Sequence, residues 1–116
     1  MVNTHVKGSK WRRDIEVWLQ GWGWSTRFRS IGEAGDDITA ELPLHRSSLP
    51  EVVKFSIEAK NHKTITLAAF VDQCVENAGP GQIPVCIIKR RGKAKVEDGY
   101  AVMPCWALEA LVERLL

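Results

Sequence analysis

Residues 83–88 read Ile-Pro-Val-Cys-Ile-Ile. So short and nearly unbroken an apolar run predicts a strand buried on both faces, and such strands occur where helices cover a sheet on both sides. Pro84 has no backbone N–H to give, so it is expected at the start of that strand or at a bulge. The rest of the chain must then supply neighbouring strands and the amphipathic helices that cover them. With 116 residues there is material for one domain, residues 1–116, around a single modest core.

Ser9 is a candidate cap for a helix over residues 10–20, which Gly21 and Gly23 end. At about 100° per residue, Trp11, Ile15, Trp18, Leu19 and Trp22 fall on one stripe, predicted to face the core. Residues 26–31 (TRFRSI) alternate and predict a first strand, with Arg27 and Arg29 on one face. Residues 37–42 (DITAEL) predict a second, and a polar loop with Pro43, His45 and Pro50 leads to a third over 52–60. Thr64 or Thr66 caps a second helix, with Leu67, Phe70, Val71 and Cys74 on its apolar side and Gly79-Pro80-Gly81 as its stop. A basic loop after residue 88, a short strand over 99–103 and a last helix opened by Pro104 complete the chain. The predicted order is α-β-β-β-α-β-β-α. The fold class is α/β, a mixed central sheet flanked by helices.

Charge is uneven along this chain. Residues 1–30 carry six Lys/Arg against Asp14 and Glu16, and residues 61–95 carry six against Asp72 and Glu76. Residues 31–60 carry six carboxylates against Arg46, Lys54 and Lys60. An acidic centre between two basic blocks suits a metal-binding cleft that faces a polyanion; solvated faces of mixed sign are the other reading. Cys74, Cys86 and Cys105 are odd in number and widely spaced, which argues against a disulfide framework or a zinc site and for a reducing compartment. The first ten residues lack an apolar h-region and no run approaches a membrane span, so a cytoplasmic protein without membrane attachment is expected.

Within the third strand, Phe55, Ile57 and Ala59 point one way and Ser56, Glu58 and Lys60 the other. A hairpin that brings Asp37, heading the second strand, beside Glu58 sets two carboxylates at one end of the sheet. Hard cations such as Mg²⁺ take a few carboxylate oxygens, with water and substrate phosphate completing the shell. Such an ion activates water and stabilises a leaving oxygen in phosphodiester hydrolysis. Lys60, on the same face, would orient the attacking water or offset charge on the transition state. The alternative is a surface Glu–Lys pair of little energetic weight.

Gly35-Asp36-Asp37-Ile38 followed by Ile57-Glu58-Ala59-Lys60 resembles the PD-(D/E)XK nuclease signature. Lys7-Gly8-Ser9-Lys10-Trp11 is similar to the Lys-Gly start of archaeal-type Holliday junction resolvases. Glu58-Ala59-Lys60-Asn61-His62, with Lys89-Arg90-Arg91-Gly92-Lys93 and Asp98-Gly99-Tyr100, is similar to resolvases of bacteriophages that infect actinobacteria. The resemblance spans residues 7 to 103. It implies the restriction-endonuclease-like fold and a homodimeric, Mg²⁺-dependent enzyme, with Mn²⁺ as a substitute, that nicks two strands of a four-way junction symmetrically. If phage-encoded, it would act in the host cytoplasm. No small-molecule cofactor is implied.

One position departs from that pattern. Such resolvases place a metal-holding glutamate five residues after the lysine of Lys-Gly, and here that residue is Arg12. Glu16 lies about 40° round the helix from Arg12 and Asp14 about 160°, so Glu16 is the candidate substitute. The alternative is that neither carboxylate touches metal. The catalytic set expected is Asp37, Glu58, Lys60 and Glu16, with Asp37, Glu58 and Glu16 on the metal.

Lys89, Arg90, Arg91, Lys93 and Lys95, around Gly92, would engage backbone phosphates without reading bases. Lys7, Lys10, Arg12, Arg13, Arg27 and Arg29 would extend that footprint, and Asn61 and His62 follow the catalytic strand directly. Gln73 on the second helix faces either the site or solvent. The last helix is apolar over more than one stripe, which suggests a second contact such as a two-fold partner. Three readings stand: a four-way junction resolvase, a general structure-selective or single-strand nuclease, and a junction-binding protein whose site has decayed.

Overall fold

The computed structural model describes residues 4–28 and 38–116, with side chains from Lys10 onward in the first segment. Asp37, Arg29 and the end expected for the first strand lie outside the described residues.

The elements are α1 (Thr4–Gly21), β1 (Ser25–Phe28), β2 (Ile38–Leu44), β3 (Glu51–Lys60), α2 (Leu67–Asn77), β4 (Gln82–Ile88), a short 3₁₀ turn (Val96–Asp98), β5 (Tyr100–Val102) and α3 (Cys105–Leu115). The strands form one sheet in the order β1-β2-β3-β4-β5. β3 and β4 run parallel and every other neighbouring pair is antiparallel. The α/β mixed sheet flanked by helices is the predicted architecture.

Alternation along the strands sorts the side chains into two layers. Val53, Phe55, Ile57, Ile83, Val85 and Ile87 face α1 and α3, where Trp11, Ile15, Leu19 and Ala107 close the main core. Cys86 and Ile88 face the other way and pack with Phe70 of α2. Trp11 fastens α1 to the sheet by donating its indole N–H to the Ile87 carbonyl at 3.1 Å. β4 is thus covered on both faces, as its composition requires.

Several boundaries differ from the sequence reading. α1 starts six residues before the predicted one, and Ser9 lies inside it rather than capping it. A serine's preference for a cap is worth only about 1 kcal/mol, and helix interiors tolerate the residue. Pro84 is the third residue of β4, paired with Ser56, not its start. The missing N–H is accommodated because β5 pairs only with Cys86–Ile88, so that among the described residues no strand pairs with β4 on that side at Pro84. Pro43, expected in a loop, sits near the end of β2 opposite Val52.

Trp18 and Trp22 were expected in the core but are 38% and 53% exposed. Angle alone placed them on the buried stripe, yet Trp22 lies beyond the helix end. There the backbone N–H groups of Gly23 and Trp24 return to the carbonyls of Gln20 and Leu19, with Gly23 at φ 96°. The indoles instead form an edge-on chain, Trp18 to Trp22 to Trp24, ending on Phe55. On α3 only Ala107 is buried, and Leu108, Val112 and Leu115 are exposed along one side. Among the described residues no helix is long and apolar enough to cross a membrane.

Candidate active site

β3 carries the residues of interest because its even-numbered positions turn away from the main core. Glu58 is 3% exposed, and its Oε1 accepts a hydrogen bond from Asn77 Nδ2 at 2.7 Å. Lys60 Nζ donates to Gln73 Oε1 at 2.5 Å and lies 5.2 Å from the centre of the Phe70 ring. Both acceptor and donor come from α2. Two residues along a strand cover about 6.6 Å and four along a helix about 6 Å. Gln73 and Asn77 therefore match Lys60 and Glu58 one to one, with α2 running antiparallel to β3. The face of α2 on the sheet is half apolar (Phe70, Cys74) and half amide (Gln73, Asn77).

Glu58 also shapes its surroundings. Cys74 is buried beside it and donates its thiol to the Ser56 carbonyl at 3.6 Å. Burial, reinforced by the charges of Glu58 and Cys86, pushes the Cys74 thiol up to about 12, so it stays protonated and inert.

The strand partner of Ile57 is Ile38, the residue that directly follows Asp37 in the chain. Asp37 itself lies outside the described residues. Glu16 is not gathered with Glu58. It sits on α1, on the opposite side of the sheet, in an ion pair with Arg12 at 3.3 Å. The Arg12 guanidinium in turn lies 3.5 Å from the centre of the Phe28 ring. Asp14 pairs with Lys10 at 3.0 Å. Among the described residues no three His, Cys, Asp or Glu side chains come together.

The cations expected to meet a polyanion divide into separate places. Asn61, His62, Lys63, Lys89, Arg91 and Gly92 line one cleft of about 310 Å³ just past the ends of β3 and β4. Arg90, Lys93 and Lys95 are exposed on the loop beside it. Arg27 lines a second, open groove of about 440 Å³ across β1–β3, with Thr39, Glu41 and Lys54. Lys10, Arg12 and Arg13 lie on α1, as does the backbone of Lys7. Sequence reasoning missed Asn77 and Lys63. For Asn77 the signal was present: it stands four residues after Gln73 and seven after Phe70, on the same helix face.

No protein-family model matches this sequence, and no curated protein matches it. Among solved structures, the fold is similar to that of Hjc from Archaeoglobus fulgidus, a Holliday junction resolvase from an archaeal hyperthermophile. The TM-score is 0.53 at 20% identity, over 82% of this chain and 87% of that one. At that identity the likeness is one of fold.

Proposed function

We propose that the protein is a metal-dependent endonuclease that cuts branched DNA, with the four-way junction as its substrate and paired nicks made by a homodimer. The observation that carries this reading is the buried Glu58 carboxylate. It shares one strand face with the Lys60 ammonium, Asn61 directly after Lys60 lines a cationic cleft, and the fold is like that of a Holliday junction resolvase.

Asp37 and Glu58 would hold a Mg²⁺ ion, for which Mn²⁺ would substitute. Glu58 fits that part because the Asn77 amide fixes one of its oxygens, as partners of metal-holding carboxylates do. A bound ion would supply Lewis-acid stabilisation of the scissile phosphate and a more acidic water. Lys60 would hold the attacking water or the phosphate oxygen, with Gln73 keeping its chain extended along Phe70 until DNA arrives. The cations around the cleft would hold the backbone without reading bases. Glu16, engaged with Arg12 on the α1 side, has a supporting part in this reading rather than a place on the metal.

The test is cleavage of a labelled, immobile four-way junction with Mg²⁺, comparing wild type with Glu58→Gln and Lys60→Ala at equal junction binding. Paired nicks by wild type, lost in both variants, support the reading. Cutting of single strands or linear duplex as readily as junctions would point to a general nuclease. Tight binding of the junction with no cutting at all would leave a binding protein.

A further inference from the structure

We propose that the cleft lined by Asn61, His62, Lys63, Lys89, Arg91 and Gly92 is a built site for a single backbone phosphate, beside the one that is cut. This deepens the nuclease reading and rests on it. Four observations meet there.

First comes position: β3 and β4 are the parallel pair of the sheet, and crevices outside the carboxyl ends of parallel strands are where α/β folds bind ligands. Second comes charge. Three of the lining residues are cationic and, among the described residues, none is a carboxylate. α2 starts from the same end of the sheet with no acidic residue in its first turn, so its dipole adds to the positive potential.

Third, the walls are held in place. The Lys89 N–H donates to the Lys60 carbonyl at 2.9 Å, which ties one wall to the strand that carries the proposed catalytic lysine. The loop above turns through Gly92 at φ 80°, closed by the Lys93 N–H on the Arg90 carbonyl at 3.1 Å. Fourth, His62 packs its ring 5.0 Å from Phe70, the same ring over which Lys60 lies. An anion in the cleft is thus fixed relative to Lys60 through two short paths, one backbone and one aromatic. A DNA strand seated there is held at a set distance from the Glu58 carboxylate. Lys63 has no other assigned part and gains one here.

The experiment has two arms. In the first, inorganic phosphate is titrated into the free protein and amide shifts are followed by NMR. Shifts centred on Asn61, His62, Lys63 and Gly92, lost in the Lys89→Ala/Arg91→Ala double variant, are expected. In the second, junction affinity is measured against salt for Lys63→Ala, Arg91→Ala and the remote Arg46→Ala. Each cleft variant should lose affinity roughly tenfold and lower the salt slope by about one, while Arg46→Ala changes neither. If wild type binds and cuts junctions but the cleft variants match it, the phosphate site is overturned and the nuclease reading stands. If phosphate shifts the cleft amides but no DNA binds, the cleft takes a free phosphate instead, which overturns the backbone assignment together with the nuclease reading.

Discussion

Replacing Asn77 by alanine tests whether the Glu58 carboxylate is held for a purpose. Asn77 Nδ2 donates to Glu58 Oε1 at 2.7 Å, and Glu58 is almost wholly buried, so water has little room to take over. A hydrogen bond to a charged group is worth about 1.5–3 kcal/mol. Asn77 is the last residue of α2, where alanine's better helix propensity returns at most about 0.7 kcal/mol. The net loss of stability without metal should therefore be about 1–2.5 kcal/mol, read from urea unfolding in the presence of a chelator. With Mg²⁺ present the loss should shrink, because a bound cation takes over part of the work of stabilising the carboxylate. Cleavage should fall by about 10–100-fold, the usual cost of removing a group that orients a metal-holding side chain. An identical stability loss with and without Mg²⁺, and unchanged cleavage, would refute the idea that Asn77 positions a metal-holding carboxylate.

Glu16→Gln should leave the Mg²⁺ concentration for half-maximal cleavage where it is in wild type, whereas Asn77→Ala should raise it; a shift with Glu16→Gln would return that residue to the metal. Cys105, exposed at the start of α3, should react with a thiol reagent in the native protein, and Cys74 and Cys86 only on unfolding. The raised Cys74 value has a signed consequence. The unfolded thiol ionises near the ordinary value of about 8.5 and the folded one near 12, so the unfolded state sheds its proton first. Native stability should therefore fall above about pH 9 by roughly 1.4 kcal/mol per pH unit, and Cys74→Ala should flatten that decline in alkaline urea titrations. Gly99→Ala should be costly without any unusual φ, because its Cβ would stand 2.7 Å from the Ile88 carbonyl oxygen and 3.4 Å from Trp11 Cζ2. A loss of about 1–3 kcal/mol in thermal unfolding is expected, with β5 displaced from β4.

Most of the fold was legible because two periodicities are written into the chain. The alternation of residues 55–60 and the apolar run 83–88 define strands by their burial alone, and residues 67–77 define a helix the same way. Element ends were less legible, since they depend on weak local preferences that packing overrides. Ser9 offered a cap that the chain does not use, and Pro84 was expected where no hydrogen bond is lost, a condition met inside β4 because β5 is short. The Trp18 and Trp22 error has a different source. A helical wheel gives the direction of a side chain but not where the helix stops or where its covering sheet ends.

The site divides along the same line. Glu58 and Lys60 share a face by strand geometry, which needs no tertiary knowledge, while their pairing with Asn77 and Gln73 depends on α2 lying antiparallel across β3. A segmental charge count omits pairing within a helix. Lys10, Arg12, Asp14 and Glu16 enter a segmental balance as a basic block with two acids, yet on a helix each cation meets the carboxylate four residues on. That spacing accounts for both acids without any metal and neutralises two of the cations counted toward a DNA footprint. Lys63, Lys89 and Arg91 share a cleft that, among the described residues, no carboxylate lines. On the proposed reading, the ends of β3 and β4 rather than α1 carry the main contact with the DNA backbone. Variants on α1 should change the salt dependence of junction binding less than variants in the cleft, and the reverse ranking would move the proposed DNA path to the other side of the sheet.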